Sequence, residues 1–141
     1  MKNKNTDNLQ NELTAAPNLR AFLADNHEQF INESFTEILQ RLFQQSGLSK
    51  AAFAKRAGTS EVYLYQLFSG GRMPSRDRVI CLCFGLSATL EETQALLKHS
   101  GLAQLYAKDR RDAIIIYGLS HGMELVDIND RLFSENEATL C

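Results

Sequence analysis

An all-α fold is predicted for this chain of 141 residues, with an N-terminal helical arm, five consecutive central helices and a C-terminal helical hairpin. Three observations predict it. Glycine and proline number only 8 and 2, and proline stands only at 17 and 74, too few breaks for a sandwich or barrel with many turns. Apolar residues recur at helical spacing in one segment after another. Serine or threonine stands ahead of most of these segments and glycine behind them, the order in which helix caps occur.

The elements follow in chain order. Residues 1 to 16 carry Asn3, Asn5, Asn8 and Asn11 and few bulky apolar side chains, so they are expected to form a flexible tail. Residues 17 to 33 form the arm, with Leu19, Phe22 and Leu23 at helical spacing and Phe30 and Ile31 placed to dock it. Over 34 to 46, Phe35, Ile38, Leu39, Leu42 and Phe43 repeat at i, i+3, i+4, i+7 and i+8, with Ser34 and Glu37 as a capping box and Gly47 as the stop. Ser49 caps a short helix through Ala57, and Ser60 caps another to about Phe68 that buries Leu64, Leu67 and Phe68. Pro74 and Ser75 open a fourth, with Val79, Ile80, Leu82, Cys83 and Leu86 as its apolar face. Thr89 and Glu92 box the fifth, which ends near Gly101. These central helices define a domain over 34 to 101. The extension, 102 to 141, holds two further segments at about 109 to 121 and 124 to 134. The first, through Ile114, Ile115 and Ile116, is apolar on every side and fits a buried helix or a strand.

Composition narrows the function. At 44% apolar and 23% charged the chain is of globular type, and its length excludes a large two-domain enzyme. The longest apolar runs, 79 to 86 and 113 to 119, are too short to span a membrane, and residues 1 to 16 lack a secretory apolar stretch, so a cytoplasmic location is expected. Cys81, Cys83 and Cys141 contain no C-x-x-C and are read as reduced and structural. No metal and no cofactor is expected, since His27 and His99 lie far from any cluster with ligand spacing.

Residues 48 to 75 read LSKAAFAKRAGTSEVYLYQLFSGGRMPS, two short helices joined through Gly58. Such a pair needs a small residue at the crossing, a glycine at the bend and an inward aliphatic on the second helix, which Ala54, Gly58 and Leu64 supply, with Leu67 behind them. With Leu48 and Ser49 before it and the G-x-R-x-P-S exit of Gly70, Arg72, Pro74 and Ser75 after it, the segment resembles the helix-turn-helix of the lambda-repressor-like (XRE-type) family. It is also similar to a bacterial subgroup with YQ in the recognition helix, PSRD after it, and a tail like LYAKDRRDAIIIYGLSHG.

The resemblance implies a transcriptional regulator that binds double-stranded DNA, with a recognition helix at about 60 to 69 in the major groove. Its matching positions for base contact are Ser60, Glu61, Val62, Tyr63, Tyr65 and Gln66. Gln66 suits adenine, Glu61 the cytosine amino group and Val62 a thymine methyl. Lys50, Ser69, Arg72 and the helix start at Ser75 suit phosphate. It further implies a two-fold homodimer on half-sites roughly 34 Å apart, expected to close through residues 102 to 133 or the fifth helix. An effector or protein partner at the extension is a further reading.

Charge agrees once it is partitioned. The chain carries −2 in all, but residues 49 to 78 hold Lys50, Lys55, Arg56, Arg72, Arg76 and Arg78 against Glu61 and Asp77, leaving +4 there and −6 elsewhere. Lys50 replaces a glutamine common in the family, Glu61 brings a negative charge to the groove side, and EVYLYQLF is apolar for a groove-facing helix. A second reading is therefore an adaptor that keeps the fold and binds a partner protein through Tyr63 and Tyr65.

An enzyme is not expected. Gly118-Leu119-Ser120-His121-Gly122 fits G-x-S-x-G, but no histidine follows His121, and too little chain remains for the hydrolase sheet. The motif reads better as the end of a buried helix, with Gly122 as its stop.

Overall fold

Side-chain caps set almost every helix start in the computed structural model, which describes residues 4–27 and 34–141. The described residues contain no strand and fall into two compact units, Met1–Asn32 and Glu33–Cys141. The first holds α1 (Thr6–Ala15) and α2 (Leu19–Asp25). Residues expected to form a flexible tail are thus largely helical. The correction has a local cause: Asn5 accepts from Asn8 N–H at 2.7 Å as an N-cap, and Lys4 Nζ ties to Glu12 at 2.7 Å and to Asn26 Oδ1 at 2.6 Å. Phe22 is buried in α2, capped by Asn18. Phe30 and Ile31 lie outside the described residues.

The second unit holds α3 (Phe35–Ser46), α4 (Lys50–Arg56), α5 (Glu61–Phe68), α6 (Arg76–Gly85), α7 (Leu90–His99), α8 (Arg110–Ser120) and α9 (Leu125–Ser134). Ser34, Ser49, Ser60 and Ser75 each accept from the N–H three residues on, and Thr89 with Glu92 closes a complete capping box. Residues 113 to 117, open between helix and strand on sequence, are helix.

Helix α6 is the axle. Val79, Ile80, Cys81, Leu82, Cys83, Phe84 and Gly85 are all buried, so the single apolar face expected for it is corrected to burial all round. It packs against α4, α7 and α9. A β-carbon at Gly85 would lie 2.8 Å from the Ala57 β-carbon and 3.0 Å from its backbone nitrogen, so α4 meets α6 backbone to backbone. Burial pushes the thiols of Cys81 and Cys83 up to about 12, which keeps both protonated.

The extension is part of this core. Ile115, Ile128 and Leu132 are fully buried, α8 packs on α7 and α9, and residues 34 to 101 and 102 to 141 lie in one compact unit. Gly118 lets α9 approach, since a β-carbon there would lie 2.6 Å from Ile128 Cδ1. Arg111 ties the last residues down: it donates to the carbonyls of Ala138 (2.8 Å) and Thr139 (3.1 Å) while gripping Asp77 at 3.0 and 3.2 Å. Leu140 is buried, and its N–H donates to Asn129 Oδ1 at 2.7 Å.

Candidate nucleic-acid interface

The turn between α4 and α5 is built by hydrogen bonds that the sequence dictates. Gly58, at φ +66°, donates to Lys55 O (3.2 Å), and Thr59 donates to Ala54 O (2.9 Å), which closes a Schellman motif on α4. Ala54 is buried, Leu64 and Leu67 are fully buried, and Ser60 then starts α5 by accepting from Tyr63 N–H at 3.1 Å. The two helices are thereby fixed around Ala54, Gly58, Leu64 and Leu67.

The end of α5 repeats the device, with a consequence for the site. Gly70, at φ +78°, donates to Leu67 O, and Gly71 donates to Gln66 O at 3.0 Å, so the chain doubles back along the helix it has just left. Arg72 is thus delivered to Gln66. Its Nη1 donates to Gln66 Oε1 at 3.0 Å, and its guanidinium carbon lies 4.9 Å from the centre of the Tyr63 ring. Arg78, on the first turn of α6, covers the same ring at 5.4 Å. The result is a concave surface between the starts of α5 and α6, lined by Ser60, Val62, Tyr63, Gln66, Arg72 and Arg78.

The residues singled out on sequence divide accordingly. Ser60, Glu61, Val62 and Tyr65 are exposed along α5, with Val62 at 68% and Tyr65 at 66%. Tyr63 and Gln66 are half-buried, and Tyr63 packs partly on the core. Lys50, Ser69, Arg72 and Ser75 are exposed. Lys50 reaches over the Phe68 ring at 5.9 Å, and Ser75 caps α6 beside the concavity. Ser69 folds back on the end of α5, donating to Gln66 O at 3.1 Å.

The basic segment does not act as a block. Arg76 is bound twice by Asp112, at 2.8 and 3.1 Å, and donates to the carbonyls of Ala103 and Gln104. Arg56 donates to Gly85 O (2.9 Å) and Ser87 Oγ (2.6 Å). Asp77 is neutralised in turn by Arg111. Of the six cations, Lys50, Arg72 and Arg78 are the ones held against rings of α5.

Arg78 and the exposed Met73 beside the concavity were not among the sequence candidates. A signal for Arg78 was available: residues two apart on a helix face well-separated sides, so Arg76 and Arg78 at one helix start cannot both serve the same surface.

The G-x-S-x-G segment sits elsewhere. Ser120 ends α8, His121 Nδ1 lies 2.9 Å from Tyr117 O and its ring stacks on Tyr117 at 3.8 Å, and Gly122 takes φ +66°. A nucleophile elbow needs a strand before the serine, and a helix precedes it here. Among the described residues no group of three His, Cys, Asp or Glu is placed to hold a metal, and no helix is long and apolar enough to cross a membrane.

Residues 35–96 match a family model described as a helix-turn-helix domain. The match runs from the start of α3 into α7 and leaves α8 and α9 outside it. No curated protein and no solved structure matches the chain significantly.

Proposed function

We propose, from the premise that residues 35–96 form a helix-turn-helix domain, that the protein is a sequence-specific DNA-binding transcription regulator of the lambda-repressor-like kind, with α5 in the major groove. One observation carries this reading. The exposed side of α5 is flanked by Arg72, Arg78 and Lys50, each lying against an α5 ring, so positive charge borders the surface a groove would meet. Glu61, Val62 and Tyr65 are presented to base edges. Lys50, Arg78 and the Ser75 helix start are presented to phosphates.

The test is selection from random duplex DNA by the purified protein, with binding of the enriched duplexes repeated across a salt series. A short enriched motif is expected, with affinity falling by about 10³-fold or more between 50 and 200 mM salt for a protein that makes six or more phosphate contacts. Absence of enrichment at low salt would sink the reading and direct the search to a partner protein for the Val62 and Tyr65 face.

The regulator acts as a homodimer joined through α8 and α9. Their outer faces keep Tyr117 (55%), Val126 (61%) and Phe133 (77%) in solvent although the core beneath them is complete. Sedimentation at tens of micromolar is expected to give a dimer, and Phe133→Glu a monomer. A wild-type monomer, both free and on selected DNA, would refute this arrangement.

A further inference from the structure

We infer that Gln66 and Arg72 form one donor-rich, positively charged reading unit that selects guanine, where an unpaired glutamine would suit adenine; this rests on the proposal that α5 enters the major groove. The inference starts from the hydrogen bond between them. An arginine side chain carries five N–H donors and no acceptor. The Gln66 atom 3.0 Å from Arg72 Nη1 must therefore be the amide oxygen, whatever else surrounds it. That fixes the amide orientation and leaves the Nε2 group as the other end.

Every fully buried side-chain nitrogen and oxygen among the described residues has a partner. Among the described residues Gln66 Nε2 has no hydrogen-bond partner, so it is reached by solvent and open to a ligand. Arg72 is exposed, uses one of its five N–H groups on Gln66, and is held in place by the Tyr63 ring and by the Gly70–Gly71 turn. The pair therefore carries N–H donors on Gln66 Nε2 and on the Arg72 guanidinium together with one positive charge.

Base edges respond differently to such a surface. Guanine shows two neighbouring acceptors, N7 and O6, in the major groove. Adenine shows N7 beside the N6 amino donor, and a glutamine pairs with it by supplying its own oxygen. Here one of the two lone pairs of that oxygen is taken by a guanidinium, and an adenine amino group approaching the other would be brought alongside a cation that carries only donors. The pairing that suits a lone glutamine is thereby disfavoured, and guanine is the complementary base.

The turn that delivers Arg72 is thus a specificity element, although it lies outside the recognition helix.

The experiment uses the full chain and duplexes selected as above. Wild type is expected to take guanine at one position of each half-site, preferred over adenine by about tenfold or more, in line with the worth of a bidentate base contact. Gln66→Ala flattens that position and leaves the rest of the motif. Arg72→Ala frees the amide and moves the same position towards adenine, whereas a phosphate contact alone would lower all affinities without changing the base.

Because Arg72→Ala could lose binding altogether, wild type is also tested on its own selected duplex with modified bases. Replacing the guanine by 7-deazaguanine, which lacks N7, is expected to weaken binding about tenfold, and replacement by hypoxanthine, which keeps N7 and O6, to leave it unchanged. Adenine or thymine at the Gln66-dependent position, or indifference to 7-deazaguanine, overturns the inference while leaving the DNA-binding proposal standing. Lack of any enriched motif overturns both.

Discussion

Gly85→Val is expected to destabilise the second unit by about 3 kcal/mol and to lower its thermal midpoint by roughly 10 °C. The argument is geometric. A single β-carbon at this position already meets the Ala57 β-carbon at 2.8 Å, its nitrogen at 3.0 Å and its α-carbon at 3.1 Å. Two of those three atoms are backbone, and they belong to the residue that closes α4 immediately before Gly58. Relief would require α4 to move off α6, and with it the turn into α5.

Gly118 gives the comparison. A β-carbon there would lie closer still, 2.6 Å from Ile128 Cδ1, but that atom is the end of a side chain that can rotate. Gly85→Ala is therefore expected to cost more than Gly118→Ala despite the longer contact. Thermal unfolding by circular dichroism checks both. If Gly118→Ala were the more damaging, rigid backbone contact would not be what holds α4 on α6.

Asp112→Ala is the second large effect, expected at about 3 kcal/mol, as for breaking one side of a buried ion pair. Asp112 is only 6% exposed, receives Arg76 through two nitrogens and accepts from Tyr106 N–H at 3.0 Å. Removal leaves the Arg76 guanidinium without its counter-charge, held by the Ala103 and Gln104 carbonyls, and leaves the Tyr106 N–H without its acceptor. Burial works against the Asp112 charge, and the hydrogen bonds from Arg76 and Tyr106 N–H outweigh it, so the carboxyl is held below its ordinary range.

The sign of the pH effect follows. An aspartate whose folded pKa lies below its unfolded value of about 3.9 contributes fully above that pH and loses its contribution as the pH falls through the folded value. Wild type should therefore lose stability below about pH 4. Asp112→Ala should start lower and lose less over the same range. Urea unfolding between pH 3 and pH 7 measures this, and parallel curves for the two proteins would show that Asp112 is not linked to folding.

Both effects depend on contacts that link distant parts of the chain, and this separates what was legible in the sequence from what was not. Ser49, Ser60, Ser75 and Thr89 were readable because a cap is a local event: the donor lies three residues from the acceptor. The same locality made Gly58 readable as the bend between the two helices, and Leu64 and Leu67 as the inward side of α5. Asn5 and Asn18 are caps of equal quality, yet a sparse apolar content masked the first of them and α1 was missed.

Contacts between helices were not readable. Ala57 and Gly85 are 28 positions apart, and nothing local distinguishes a glycine at a helix crossing from one that merely weakens a helix. Arg76 and Arg78 look equivalent in sequence. Their roles separate only because α8 carries Asp112 to one side of α6 and α5 carries Tyr63 to the other. In the candidate site the residue types were legible, whereas the bond between Arg72 and Gln66 required the Schellman turn that folds one back on the other.

The burial of Leu140 and the grip of Arg111 on Ala138 and Thr139 also bear on how the protein is made. A ribosome adding roughly 5–20 residues per second needs about 2–8 s to travel from Gly101 to Leu140. During that interval the helix-turn-helix has been synthesised, but the partners of Phe84 and Cys81 have not. The nascent chain therefore passes through a period in which the helix-turn-helix segment exists with an open apolar flank, and residues 138 to 140 help to close that flank.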